Sequence, residues 1–424
     1  MAHLTARNSY HHLTQRLNRF PQGAPPSELL TRILSILFSE REAVLVAALP
    51  LRPFTAAKAA KAWGKSVGEA ERILRELSSR ALLVDIEQKG RMHYVLPPPM
   101  AGFFEFTMMR VRDDLDQKLL AELFEQYITV EDDFIKALFV DGETQLGRVL
   151  VGEDVLASKN DLHVLDYERA THMIESATAV GIGLCYCRHK RAHQGLACSA
   201  EMDICMTFNT VASSLIRHGH VRRVEITECK ELLHKAWEQN LAQFAENVQS
   251  GVNFICNCCP CCCEAMIAHQ RFGHQHPIHT SNYIAEAADN CSGCGRCLPV
   301  CPARVINLET EKDDGSGRRQ AVIDEELCLG CGVCVRVCQL QALRMKPRPQ
   351  RVITPVNSVH KTVKMAIERG TLEHIIFDNQ VLWSHRALAA LLGAVLRMPP
   401  VKRSLASSQL GSRYLEQLCR KFDF

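Results

Sequence analysis

Two runs of cysteines hold the residues of this sequence best suited to metal chemistry. The runs share one spacing, and their members are Cys291, Cys294, Cys297 and Cys301 and, 37 positions later, Cys328, Cys331, Cys334 and Cys338. Thiolates two residues apart in a tight loop wrap three corners of an iron-sulfur cube, while the fourth thiolate of such a run points toward a second cube. The spacing therefore predicts two 4Fe-4S clusters.

The segment resembles the two-cluster ferredoxins of bacteria, in which the fourth cysteine of each run ligates the other cluster. The resemblance implies two crossed ligand sets, which are Cys291, Cys294, Cys297 and Cys338 for one cluster and Cys328, Cys331, Cys334 and Cys301 for the other. Glycines at 293, 295, 330 and 332 lie between ligands, where the backbone must turn sharply. Gln339 stands where the second run of a ferredoxin usually has proline, but that proline is not a ligand.

The residues between the two runs also fit this resemblance. Positions 304–309 and 320–324 have the pattern of short strands, joined by a polar turn at 313–317. A pair of zinc sites is the alternative, because cysteine pairs at this spacing also bind zinc. Two two-residue gaps followed by a three-residue gap suit zinc poorly, so iron-sulfur ligation is favoured.

A second cysteine field, residues 166–280, is not explained by a ferredoxin alone. Its ten candidate metal ligands are Cys185, Cys187, Cys198, Cys205, Cys256, Cys258, Cys259, Cys261, Cys262 and Cys263. The pattern predicts strands at 180–184, 221–226 and 252–255 and helices at 209–217 and 230–244. That alternation predicts a small α/β layer whose strand ends carry the thiols.

We expect this field to hold one or two additional iron-sulfur clusters. One predicted ligand group contains Cys185, Cys187, Cys198 and Cys205, and the run from 256 to 263 supplies the other. A zinc knuckle over the dense run is an alternative. A catalytic dithiol is another, because the basic side chains at 188–190 would lower the pKa of neighbouring cysteines.

Other cysteines and histidines have simpler interpretations. Cys229 lies in a helical pattern and Cys419 lies near the C-terminus, and both are expected to be small buried apolar residues. The histidines between 269 and 279 are expected in loops. The motifs at 183–190, 202–206 and 254–263 resemble a group of cysteine-rich 4Fe-4S dicluster-domain proteins of anaerobic bacteria. That resemblance implies electron transfer in general and no particular reaction.

Composition places the chain among globular proteins with several domains. It has 424 residues and 20 cysteines, and its 50 basic and 47 acidic side chains give a net charge of +3. We expect a cytoplasmic protein, because the N-terminus lacks an apolar run of signal length and no segment is apolar enough to span a bilayer. The cysteines are therefore interpreted as metal ligands and not as a disulfide framework.

Residues 27–99 have the pattern of a winged helix. Ser27, Ser39 and Ser66 precede amphipathic helices, and a turn at 89–90 separates two short strands that would form the wing. The third helix of the pattern carries arginines interleaved with glutamates, and phosphate contacts dominate affinity for DNA. Binding to DNA is therefore compatible with the pattern but not favoured over protein contact.

The predicted fold class is α+β with several domains. The expected order is a polar tail (1–26), a winged helix (27–99), a helical linker (100–165), the cysteine-rich α/β domain (166–280), the two-cluster ferredoxin module (281–349) and C-terminal helices (350–424). The linker helices are expected to share a stripe of Leu115, Leu119, Leu123 and Tyr127. The C-terminal helices are expected to share a stripe of Leu388, Leu391, Leu392, Val395 and Leu396.

The sequence favours an intracellular multi-cluster iron-sulfur protein that relays low-potential electrons between protein partners. One alternative is a redox-responsive regulator that acts through the winged helix. Another is an oxidoreductase, or a subunit of one, with a substrate-binding cluster in residues 166–280. The predicted partners are redox proteins, and homo-oligomerisation is left open.

Overall fold

The computed structural model describes residues 2–156, 164–310 and 319–377, together with positions 388, 389 and 392. It divides the chain into two compact units. Unit 1 comprises Met1–Thr144, Thr210–Arg222 and the described part of Ser358–Phe424, and unit 2 comprises Gln145–Asn209 and Arg223–Asn357. Both cysteine regions therefore belong to unit 2.

Helices and strands alternate irregularly along the described residues. The helices are α1 (Ala2–Leu17), α2 (Glu28–Leu37), α3 (Glu40–Ala47), α4 (Ala56–Trp63), α5 (Val67–Ser79), α6 (Phe104–Phe106), α7 (Gln117–Phe124), α8 (Asp132–Phe139), α9 (Ala170–Glu175), α10 (Tyr186–His193), α11 (Asn209–Arg217), α12 (Ile226–Glu238), α13 (Glu264–Phe272), α14 (Val333–Arg336), α15 (Ser358–Arg369) and α16 (Leu372–Ile376). The strands are β1 (Val84–Gln88), β2 (Arg91–Val95), β3 (Gly147–Val149), β4 (Val180–Gly183), β5 (Cys205–Phe208), β6 (Arg222–Arg223), β7 (Ala242–Glu246), β8 (Phe254–Cys258), β9 (Tyr283–Ala287), β10 (Ile306–Thr310), β11 (Arg319–Ile323) and β12 (Leu343–Pro347).

The elements predicted between 27 and 99 are present in unit 1. Ser27 and Ser66 cap α2 and α5, and Ser39 forms a reciprocal capping box with Glu42 at the start of α3. Strands β1 and β2 pair in an antiparallel hairpin whose turn residues 89 and 90 both have positive φ. The winged-helix assignment is built from these elements and stays a prediction.

Other parts of unit 1 differ from the predictions. The expected polar tail contains helix α1, which buries Tyr10, Leu13 and Leu17. In the expected linker Leu123 and Tyr127 of the predicted stripe are buried, whereas Leu115 and Leu119 are only half-buried. Leu115 lies outside α7, because Asp116 caps that helix.

A six-stranded sheet organises the second cysteine field in unit 2. The strand order is β3-β7-β8-β5-β4-β6, and the pairs β3/β7, β7/β8, β8/β5 and β5/β4 are antiparallel. Helices α9 and α12 cover one face with Met173, Ile174 and Leu233, which pack against strand residues such as Met206 and Ile255. The sheet thus holds β4, β5 and β8 side by side, with Cys205 at the start of β5 and Cys258 at the end of β8.

Four features of this sheet differ from the predictions. The strand predicted at 221–226 is reduced to the two residues of β6, and α12 begins at Ile226. The helix predicted to reach residue 244 ends earlier because Asn240 adopts a left-handed conformation, and strand β7 follows. Strand β5 was not predicted, and β3 lies in the segment expected to be a helical linker.

Several predicted features fall on residues outside the described ranges. They are the turn at 313–317, Cys419 and most of the C-terminal leucine stripe. Among the described helices, none has both the length and the apolar character required to cross a bilayer.

Candidate metal centres

Two antiparallel strand pairs position the ferredoxin-like cysteines. Ala287 of β9 lies opposite Leu343 of β12, so the loop that begins at Cys291 lies beside the end of the second run at Cys338. Ile306 of β10 lies opposite Ile323 of β11, which brings Cys301 toward Cys328 in the same way. The strand pairing therefore places the last cysteine of each run beside the other run.

The eight cysteines surround two cavities. Cavity one is lined by Cys291, Cys294, Cys297 and Cys338. Cavity two is lined by Cys301, Cys328, Cys331 and Cys334. Each cavity gathers one of the two crossed sets that the ferredoxin resemblance implies, and ligation of a cluster by these sets stays a prediction.

The two cavities differ in exposure to solvent. In cavity one Cys294 is exposed, and Leu340 at the rim is 53% exposed. In cavity two all four cysteines are buried. Burial raises the pKa of Cys334 well above its ordinary value, because a thiolate without a nearby cation is unstable away from water. Metal ions would supply that positive charge.

The backbone around cavity two fits a cluster-binding loop. Gly330 lies between Cys328 and Cys331 and has a φ of +70°. A methyl group at this position would overlap the carbonyl oxygen of Tyr283, so only glycine lets the loop approach β9. Close backbone approach and an all-sulfur donor set are what a 4Fe-4S cluster requires.

In the second cysteine field, one group of sulfurs is formed by Cys185, Cys187, Cys258 and Cys263, named here the inner thiol group. Cys185 precedes α10, Cys258 ends β8 and Cys263 precedes α13. The Sγ atoms of Cys258 and Cys263 are 3.1 Å apart, and Cys187 is hydrogen-bonded to Cys185 and Cys263. Two helix N-termini therefore meet at this group, and their partial positive charge favours bound anions such as thiolates.

A second group is formed by Cys198, Cys259, Cys261 and Cys262, named here the outer thiol group. Its four Sγ atoms all lie within 4.8 Å of one another. Cys198 comes from the loop after α10, and the other three come from the turn between β8 and α13. Cys261 is exposed, whereas Cys259 and Cys262 are buried.

These two groups differ from the predicted ones. Cys198 lies with the dense run and not with Cys185 and Cys187, and the dense run is divided between the two groups. The division falls between Cys258 and Cys259 and again between Cys262 and Cys263. Neighbouring side chains point to opposite faces of a strand, so the adjacent pair at the end of β8, Cys258 and Cys259, was a sequence signal for two separate sites.

Three further cysteines of this field have separate places. Cys205 and Cys256 lie on β5 and β8, and continuing the register of Met206 opposite Ile255 by one residue places them opposite each other. Both are half-buried. Cys229 is fully buried in the apolar core, as predicted.

One buried basic side chain, that of Arg188, interacts with cysteines of both thiol groups. Arg188 is 1% exposed and donates hydrogen bonds to the carbonyl oxygens of Asn257 and Glu201. Burial alone would lower the pKa of Arg188, but the neighbouring thiols, with Cys185 first among them, raise it above its ordinary value. The next basic residue, Lys190, is fully buried in an ion pair with Glu264.

The hydrogen bond with Cys262 lowers the pKa of Cys259 to about 4, and the charge of Arg188 acts in the same direction against the effect of burial. In the inner thiol group, the hydrogen bond with Cys187 and burial raise the pKa of Cys185 well above its ordinary value. Closely packed thiols cannot all ionise without added positive charge. Soft thiolate sets of this kind select zinc, copper(I) or iron-sulfur clusters.

Comparison with known proteins identifies one segment of the chain. Residues 290–342 match the family model of the 4Fe-4S dicluster domain. No curated protein matches the chain. The matched segment contains both ferredoxin-like cysteine runs, whose eight cysteines line the two cavities. The chain is therefore an iron-sulfur protein of the electron-transfer type, with a ferredoxin-like 4Fe-4S domain.

Proposed function

We propose that this protein relays low-potential electrons between protein partners through 4Fe-4S clusters held in cavities one and two. The observation that carries the proposal is the difference between the cavities: one reaches the surface and the other is enclosed by buried cysteines. Clusters bound there would each take up and release one electron. An electron relay needs one cluster that a partner protein can reach and another that is shielded from solvent.

Cavity one is the proposed contact point for a redox partner. Cys294 is exposed, and Leu340 presents an apolar side chain at the rim. Reduction adds negative charge to a cluster, and water and exposed dipoles stabilise that charge. The cluster of cavity one should therefore have the more positive reduction potential of the two.

Helix α13 connects cavity two with the second cysteine field. The Gln270 side chain donates hydrogen bonds of 2.8 Å to the carbonyl oxygens of Pro260 and Pro302. Pro260 lies in the sequence between Cys259 and Cys261 of the outer thiol group, and Pro302 follows Cys301 of cavity two. Nε2 of His269 on the same helix lies 2.8 Å from the carbonyl oxygen of Leu327, which precedes Cys328. Because α13 begins directly after Cys263 of the inner thiol group, it links cavity two with that group and gives the relay a continuation.

The inner thiol group is the proposed site of a third cluster because, unlike the outer thiol group, it contains no three sulfurs that all lie within 4.8 Å of one another. It offers four thiolates, two helix N-termini and the nearby charge of Arg188. These features match the negative charge of a thiolate-ligated cluster. Electrons are proposed to pass between cavity one and the inner thiol group through cavity two. This route is the same whichever end receives electrons from the donor.

A regulatory role through DNA is not part of this proposal. On α5, Arg75 pairs with Glu71 at 3.3 Å and Arg72 with Glu76 at 4.0 Å. Glutamates beside these arginines oppose contacts with phosphate, which dominate affinity for DNA. We keep contact with protein as the proposed role of this region.

The proposal is tested on the full chain purified without oxygen. We expect about eight irons and eight sulfides from cavities one and two, with more from the inner thiol group. Paramagnetic resonance during a reductive titration should resolve two ferredoxin-type clusters of different potential. A chain that holds this iron but cannot be reduced and reoxidised reversibly would refute the relay.

The contact point is tested by Leu340→Glu, with Leu196→Glu as the matched control because Leu196 is also exposed, at 64%. Leu340→Glu should slow electron transfer from the reduced protein to cytochrome c in stopped-flow experiments. Leu196→Glu should leave the rate unchanged. Equal rates for all three proteins would place the contact point elsewhere.

A further inference from the structure

The outer thiol group has the dimensions of a site for one metal ion. Its four Sγ atoms lie within 4.8 Å of one another, and those of Cys261 and Cys262 are 3.7 Å apart. A tetrahedral ion with metal–sulfur bonds of about 2.3 Å holds its sulfurs about 3.8 Å apart. The sulfurs of Cys198, Cys259, Cys261 and Cys262 therefore need little movement to bind a single ion.

The ferredoxin-like cysteines provide an internal standard for this comparison. In a 4Fe-4S cube each thiolate binds a different iron, so the four sulfurs must stand farther apart than around one ion. Within the described ranges, no other three cysteine, histidine or acidic side chains meet the 4.8 Å limit, and this includes the sulfurs around cavities one and two. The sulfurs of the outer thiol group therefore lie closer together than those of the ferredoxin-like sets.

The local backbone supports a single ion as well. Cys259, Pro260, Cys261 and Cys262 form a turn in which the N–H groups of Cys261 and Cys262 donate to the sulfur of Cys259. The N–H of Cys198 donates to the sulfur of Cys262. Such bonds stabilise thiolates, and two cysteines separated by two residues are a usual half of a tetrahedral zinc site.

We infer that Cys198, Cys259, Cys261 and Cys262 bind one tetrahedral metal ion, with Zn²⁺ as the ion their chemistry selects, and not a four-iron cube. The ion joins the loop after α10 to the turn before α13. Cys258 and Cys263, which belong to the inner thiol group, flank this turn in the sequence. This inference is independent of the electron relay, since a zinc ion carries no electrons.

The test uses the full chain, purified without oxygen, with zinc, iron and sulfide measured per chain. We expect one zinc, and X-ray absorption at the zinc edge should show four sulfur ligands at about 2.3 Å. Cys259→Ser and Cys262→Ser should each lower zinc occupancy at least tenfold while the paramagnetic signals of the ferredoxin clusters persist. Cys229→Ala, which removes a buried thiol outside both groups, should keep the zinc.

The outcomes separate a single ion from a cube. Loss of about four irons with their sulfides in the serine variants would overturn the inference, as would metal content that none of the variants changes. Zinc ligated by nitrogen or oxygen in the unaltered protein would also overturn it, and this measurement does not depend on a variant that folds. One iron without sulfide in place of zinc would support a single tetrahedral ion. Failure of the ferredoxin clusters to accept electrons would refute the relay and leave this inference standing.

Discussion

The two cysteine regions of unit 2 use the same ligand chemistry but assemble it differently. In the ferredoxin-like region, three members of each set come from one loop, and strand pairing supplies the fourth. In the second cysteine field, each group combines distant segments, such as the loop of Cys198 and the turn after β8. Spacing along the chain therefore identifies the sets in the first region and does not in the second.

The difference extends to how the sulfurs meet. Around cavities one and two they line open space, as an inorganic core requires. In the outer thiol group of the second cysteine field the four sulfurs all lie within 4.8 Å of one another, which leaves room for a single ion only. Although the two regions contribute equal numbers of thiols to their sites, we expect them to bind different metal contents. Substitutions in the two regions should therefore have separable effects.

The largest expected effect is loss of a whole ferredoxin cluster on substitution of a crossing ligand. Cys301→Ser should remove about four irons from cavity two, because Cys301 lies with Cys328, Cys331 and Cys334 although it belongs to the first run. Iron analysis and paramagnetic resonance of the reduced protein measure the loss. Damage confined to the cluster of Cys291, Cys294 and Cys297 would contradict the crossed arrangement.

A similar loss in the second cysteine field should depend on which of two adjacent cysteines is changed. Cys258→Ala should remove about four irons, those of the proposed cluster in the inner thiol group, and retain the metal of the outer thiol group. Cys259→Ala should do the reverse. The same total metal analysis distinguishes them. If both variants lose the same metal, the two groups form one site.

Local rules were sufficient to predict some of this structure. The capping box of Ser39 and Glu42, the buried face of α2 and the β1–β2 turn follow from side chains within a few residues of each other. The ferredoxin cavities were predictable for a similar reason, because a short loop and a repeated spacing determine most of each set.

The second cysteine field depends on contacts that no local rule contains. Cys198 meets Cys259 only because β4, β5 and β8 are neighbours in the sheet, and β5 itself was not predicted. The predicted continuation of α12 through residue 244 also hid strand β7, which pairs with β8 along the dense cysteine run. A helix ended by a left-handed asparagine at 240 has a weak sequence signal.

A smaller effect is expected from backbone substitutions that compare the two regions. Gly330→Ala should destabilise the ferredoxin-like region by more than the roughly 1–2 kcal/mol of left-handed strain, because the added methyl group meets the Tyr283 carbonyl. Gly195→Ala, in the second cysteine field, has the same conformation at φ +72° but open space around it, and should show the strain alone. Thermal unfolding and retention of iron measure both. Equal effects would mean that Gly330 is not required for close approach.

An effect on stability alone, with no loss of metal, should come from Asp85 in unit 1, outside both cysteine regions. Asp85 is buried on β1, where Ser214 donates a hydrogen bond to it at 2.6 Å and His218 lies at 3.0 Å, with Arg217 2.8 Å away. Burial alone would raise the pKa of Asp85, but these partners lower it from 3.8 to about 2. The ionised carboxylate therefore stabilises the folded state above pH 4, and this contribution is lost as the pH falls toward 2.

Asp85→Asn should accordingly lower the free energy of unfolding near pH 7 by about 1.5–3 kcal/mol, the range for hydrogen bonds to charged groups. The difference from the unaltered protein should persist at pH 5 and shrink at pH 3, where part of the carboxylate population is protonated. Urea unfolding followed by circular dichroism measures it, with Glu87→Gln, an exposed residue on the same strand, as the control. Iron and zinc contents should stay unchanged in both variants, because neither residue contacts a cysteine group. A loss of metal in Asp85→Asn would show that the metal centres of unit 2 depend on this part of unit 1, and the separation of effects between regions would fail.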